Sequence, residues 1–97
     1  MSLEARNPGK GLVAMITSRY TPRHRAMLKA IADGRGQLLC GRRPNLSVDG
    51  LWCDFTATGD LVDNDLVRPA WQAPPGVAAP AVLTGSGTLV LQAMSAP

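Results

Sequence analysis

Leu46-Ser47-Val48-Asp49-Gly50-Leu51-Trp52-Cys53 reads as a β-hairpin. Asp-Gly between β-forming residues is the strongest short-range hairpin signal, because both central positions of the tight turn need positive φ. Upstream, Gly36-Gln37-Leu38-Leu39-Cys40-Gly41 is a short apolar run between glycines and predicts a strand, with Arg42-Arg43-Pro44-Asn45 as its loop. Before that strand the spacing predicts a helix over 22–33. Thr21 can cap its first amides and Pro22 is tolerated at the first helical position. Ala26, Met27, Ala30 and Ile31 then recur on one face, widened by Leu28, and Gly34 stands where a left-handed cap belongs.

Downstream, Asp54 or Thr56 can cap a second helix, with Phe55, Thr58, Gly59, Leu61 and Val62 turned inward and Asn64 ending it in a left-handed turn. Leu66-Val67-Arg68 is then a strand that stops at Pro69, residues 72–80 form a Pro/Gly/Ala loop, and Ala81-Val82-Leu83 returns. Thr84 can cap a closing helix that runs to about Met94. Gly85, Gly87, Thr88 and Val90 are poor helix formers, so a strand over 85–94 is the alternative. The expected fold is α+β: two to three helices with short antiparallel hairpins. Residues 1–11 are a flexible lead-in, and residues 12–97 form one domain in which Leu12–Ile16 is a strand or a first helical turn.

Ninety-seven residues, 45% of them apolar and 18% charged, suit one globular domain rather than a disordered chain. The four aromatics are Tyr20, Trp52, Phe55 and Trp71, so the core is mainly aliphatic, and each tryptophan is expected in core or domain-edge packing. A chain this short buries a modest share of its surface, which favours a homodimer. No stretch reaches the ~20 apolar residues that a membrane span requires, and the run at 12–16 is too short for a secretory segment. A cytoplasmic protein is expected. Cys40 and Cys53 make no disulfide framework, although a pairing between them stays open. The richness in Ala, Gly, Arg, Asp and Pro is that of a GC-rich genome.

Residues 54–94 resemble the second half of a winged-helix domain of the MarR-like transcription regulators. A helix runs into Asn64-Asp65-Leu66-Val67-Arg68-Pro69 as a recognition helix runs into the first wing strand. After the wing, Leu83-Thr84, two residues and Gly87 are similar to the family's motif at the start of its next helix, and Tyr20-Thr21-Pro22-Arg23 is similar to its opening helix. The resemblance implies a small winged-helix-like scaffold and DNA binding in transcription regulation. In two respects the chain departs from the pattern. A hairpin stands between Gly34 and Cys53, where the first helix of a helix-turn-helix pair would be. The helix in the recognition position carries Asp60 and Asp63, is flanked by Asp54 and Asp65, and has no Lys or Arg, so phosphates would repel it.

Charge is divided along the chain. Residues 1–43 carry nine Lys and Arg against two acids, a net of +7, whereas residues 44–97 carry one Arg against five aspartates, a net of −4. Arg19, Arg23, Arg25, Lys29, Arg35, Arg42 and Arg43 are the candidate nucleic-acid-binding set, with Arg25 and Lys29 four apart on one helix face. The expected function is non-enzymatic nucleic-acid binding through this basic half, with non-specific phosphate contacts to DNA. The alternative is a protein–protein interaction module that holds a partner through Asp60, Asp63, Asp65 and Trp71. No catalytic set, metal site or cofactor is expected. His24 is expected exposed in the first turn of its helix, and the aspartates lack the glycine and distal glutamate of a calcium loop. Gly9-Lys10-Gly11 is no phosphate loop, since the upstream glycine and the following Ser or Thr are missing.

Overall fold

The computed structural model describes residues 19–95 and has an α+β architecture. Among the described residues, three helices pack against a five-stranded antiparallel sheet. The elements are α1 (Pro22–Ala32), β1 (Gly36–Leu39), β2 (Asn45–Val48), β3 (Leu51–Trp52), α2 (Phe55–Asp63), β4 (Val67–Pro69), β5 (Ala78–Leu83) and α3 (Gly85–Ser95). The strand order is β3-β2-β1-β5-β4. Expectations for residues 1–18, the lead-in and the Leu12–Ile16 element among them, lie outside the described residues.

The hairpin forms as its turn chemistry demands. Asp49 has φ 54° and Gly50 φ 83°, and Val48 pairs with Leu51. This is a two-residue turn whose twist matches that of the flanking strands. β5 serves two neighbours in succession: Ala78–Pro80 pair with β1 and Ala81–Leu83 with β4. The return strand therefore begins three residues earlier than the expected 81. The 70–77 connection is tied back to the sheet, since Cys40 N–H donates to the Val77 carbonyl (3.0 Å) and Gly76 N–H to the Cys40 carbonyl (2.8 Å).

Strand alternation turns Leu38, Leu46, Ala79, Ala81 and Val67 to one face of the sheet, and all five are buried. Leu28 and Ile31 of α1, Ala57 and Leu61 of α2 and Val90 of α3 close over that face in one core, which is aliphatic and sulfur-bearing except for Tyr20. The tryptophans are not part of it. Trp52 and Trp71 are 65% and 57% exposed, which rules out the core as their place and leaves the domain edge. Trp52 pairs with Ser47 on the outermost strand, whose register directs it away from the core face.

Both helix–strand turns use the same double hydrogen bond. After α1, Gly34 N–H donates to the Ile31 carbonyl and Arg35 N–H to the Ala30 carbonyl. After α2, Asp65 N–H donates to the Val62 carbonyl and Leu66 N–H to the Leu61 carbonyl. The left-handed residue is thus Asp65 (φ 58°), not Asn64 (φ −90°), because the helix keeps one more residue in helical conformation before the turn. A side chain at such a φ costs about 1–2 kcal/mol, part of which glycine would give back through its freer unfolded chain. Asp65→Gly is therefore expected to stabilise the domain by about 0.5–1 kcal/mol, read from urea unfolding midpoints.

The segment after β5 is a helix. Thr84 Oγ1 accepts from Gly87 N–H (3.0 Å) and donates to the Asp65 carbonyl (2.6 Å), while Thr84 N–H donates to the Leu66 carbonyl (3.0 Å). Thr84 both caps α3 and seats it on the α2–β4 turn. This start and the burial of Val90 outweigh the poor propensity of Gly85, Gly87, Thr88 and Val90.

Candidate functional site

The cap of α2 fixes which of its faces is free. Asp54 Oδ2 accepts from Ala57 N–H (2.8 Å), and from that start Ala57, Thr58 and Leu61 fall inward. Phe55 does not. It is 47% exposed, which corrects its expected place on the inner face: the buried stripe runs through 57, 58 and 61, and position 55 lies outside it. Alongside the outward face of α2 runs the β1–β2 loop. Between them lies an open cleft of about 430 Å³, with Arg42, Arg43 and Pro44 on one wall and Phe55, Thr56, Gly59, Asp60, Val62 and Asp63 on the other. A Cβ on Gly59 would meet nothing within 4 Å, so its absence widens the cleft rather than relieving a clash.

His24 lies at the base of this helix and is only 6% exposed, which corrects its expected place on the surface. Its Nδ1 accepts from Thr21 N–H at 2.9 Å, and Thr21 Oγ1 accepts from His24 N–H at 3.4 Å, a reciprocal capping box with histidine in the third helical position. With Nδ1 accepting, Nε2 carries the proton it donates to Asp60 Oδ2 at 2.9 Å. The ring also stands edge-on to Tyr20, with centroids 5.4 Å apart. Thr21, His24 and Asp60 have the outline of a nucleophile–base–acid chain. The lone pair that would take the hydroxyl proton is occupied by the Thr21 amide, so the arrangement tethers α1 to α2. The signal was in the sequence as Thr-x-x-His ahead of an apolar stripe, but the partner, 36 residues on, was not.

The candidate basic residues are all exposed and divide into two groups. Arg23 pairs with Asp54 (3.5 Å), Lys29 with Asp33 (3.1 Å), and Arg35 with Asp49 (2.6 Å) and Asp33 (3.6 Å). Among the described residues, Arg19, Arg25, Arg42 and Arg43 have no ion pair. Two of these contacts, Arg23–Asp54 and Arg35–Asp49, join the basic half of the sequence to its acidic half. The division of charge along the chain is thus partly closed within the fold. Asp60 and Asp63 share the cleft with Arg42 and Arg43, whereas Asp65 and Trp71 are exposed outside its lining.

The exposed pairs are weak supports, but one leaves a pH signature. The Lys29 ammonium, hydrogen-bonded to Asp33, holds that carboxyl below its ordinary value of 3.8; desolvation opposes this, and the Lys29 and Arg35 charges add to the lowering. A lowered folded value means the contribution is present above 3.8 and is lost as pH falls through the folded value. Lys29→Met is accordingly expected to lower stability slightly near pH 6 but not in acid, where the two unfolding curves converge. Cys40 and Cys53 are free thiols, both half-buried, and burial pushes the Cys53 thiol up from its ordinary range.

Leu51 and Trp52 on the edge strand are 74% and 65% exposed, and Phe55 follows at the start of α2. Among the described residues no group of three or more metal-ligating side chains occurs, and no helix is long and apolar enough to cross a membrane. No family model matches the chain, and it matches no curated protein and no solved structure.

Proposed function

We propose that this chain is a non-enzymatic protein-interaction module on a winged-helix-like scaffold, holding a partner protein in the cleft between α2 and the Arg42–Pro44 loop. The observation that carries this is the composition of the cleft: exposed Phe55 lines the α2 wall with Asp60 and Asp63, and Arg42 and Arg43 stand on the wall opposite. An exposed aromatic side chain beside charges of both signs suits the mixed surface of a protein. A duplex would bring phosphates against Asp60 and Asp63. The scaffold reading draws support from the order β1-β5-β4, with α2 between β1 and β4 and α3 after β5. The β2–β3 hairpin stands where a helix-turn-helix pair would have its first helix. Unpaired cysteines suit the cytoplasm.

The test is a photo-crosslinking residue at Thr56 in the native host. Protein adducts are expected there, and Arg42→Glu with Arg43→Glu should remove them. Equal adduct yields from a probe at Lys29, outside the cleft, would refute the assignment. Nucleic-acid binding, with a role in transcription, is the second reading. It is favoured by four exposed arginines, Arg19, Arg25, Arg42 and Arg43, that have no ion pair among the described residues. It predicts affinity for a random duplex that falls steeply with salt, and a shallower slope for Arg42→Ala with Arg43→Ala.

A further inference from the structure

We infer that the cleft takes a second copy of this chain; the inference rests on the interaction-module reading and names its partner. The two walls carry opposite charge and come from different elements: Arg42 and Arg43 from the β1–β2 loop, Asp63 from α2. Among the described residues none of these three has an ion pair within its own chain. A patch with one sign on each side is its own complement after a half-turn. In a two-fold interface, where residue i meets j and j meets i, the arginines of each copy face Asp63 of the other. Both charge contacts then form at once, and Phe55, exposed on the same α2 wall as Asp63, is covered as the two copies close. Asp60 takes little part in this, because His24 holds its carboxylate at 2.9 Å. Docking of a second copy would cover the outward face of α2 and leave it unable to enter a groove of DNA.

The two-fold relation allows a charge-exchange experiment. Arg42→Glu/Arg43→Glu makes one chain wholly acidic at the cleft, and Asp63→Arg makes another basic there apart from Asp60, which His24 holds. All three positions are exposed, so both variants are expected to fold, which circular dichroism checks. Wild type should dimerise in sedimentation equilibrium. Each variant alone should associate at least about tenfold more weakly, because like charges then meet across the axis. An equimolar mixture should return to wild-type association as a heterodimer, since every acidic group in it again faces a basic one. A dimer whose strength neither variant alters would place the interface elsewhere and overturn the inference. Wild type that stays monomeric at about 1 mM would overturn it too. In that case, cleft-dependent adducts to a different protein from the Thr56 probe would leave the module reading standing, and their absence would end both.

Discussion

Gly87→Ala is expected to destabilise the domain by about 3 kcal/mol or more, a fall in midpoint temperature of at least about 12 °C for a domain of this size. A methyl group in a helix is ordinarily favourable by about 0.5–1 kcal/mol over glycine, so the sign here comes from a clash. A Cβ on Gly87 would overlap the Leu66 carbonyl oxygen and lie 2.9 Å from its carbon. The obstacle is backbone, and that backbone is fixed. The Leu66 carbonyl accepts from Thr84 N–H, and Leu66 N–H donates to the Leu61 carbonyl in the turn that closes α2. Relief would have to lift α3 from the turn, breaking the Thr84 contacts and uncovering Val90. Gly85→Ala is the control, since its Cβ meets nothing within 4 Å, and it is expected to be neutral or slightly stabilising. Thermal unfolding of the two variants separates a packing requirement from any preference for glycine near the start of α3.

That clamp also accounts for the Leu-Thr-x-x-Gly motif in physical terms. Leu83 ends the return strand, Thr84 caps and anchors, and Gly87 permits the approach. Local chemistry of this kind was legible in the sequence. The Asp49-Gly50 turn, the Thr21 and Asp54 caps, the Gly34 stop and the run of α1 all depend on residues within four positions of one another. Contacts across the chain were not legible. Nothing near His24 announces Asp60, and the side chain looks solvated until α2 is laid against α1. The inner face of α2 was placed wrongly at Phe55 because two start points were open, and a shift of one or two residues rotates the stripe by 100–200°. The uniform basic half likewise looked like one surface. Folding divided it, pairing Arg23 and Arg35 with aspartates from the other half and setting Arg42 and Arg43 beside α2.

Leu61→Ala and Phe55→Ala are expected to act on opposite properties of the same helix. Leu61 is fully buried beneath α2, in contact with the aliphatic core. Truncation there removes apolar burial and leaves a cavity that the sheet face cannot collapse to fill, a loss of about 3 kcal/mol. The midpoint temperature should fall by about 12–24 °C. Phe55, six residues earlier, already has nearly half its surface in water, so its truncation should change stability by no more than about 0.5 kcal/mol. Association should behave in the reverse manner. Phe55→Ala, with a stable fold, is expected to weaken dimerisation, because an aromatic side chain buried by an interface tends to carry much of the binding. Leu61→Ala, studied well below its own midpoint, should keep most of it. Calorimetry and sedimentation on the two variants give both quantities. If Phe55→Ala lost as much stability as Leu61→Ala, the outward face of α2 would be part of the core, and the cleft would have no free surface to offer a partner.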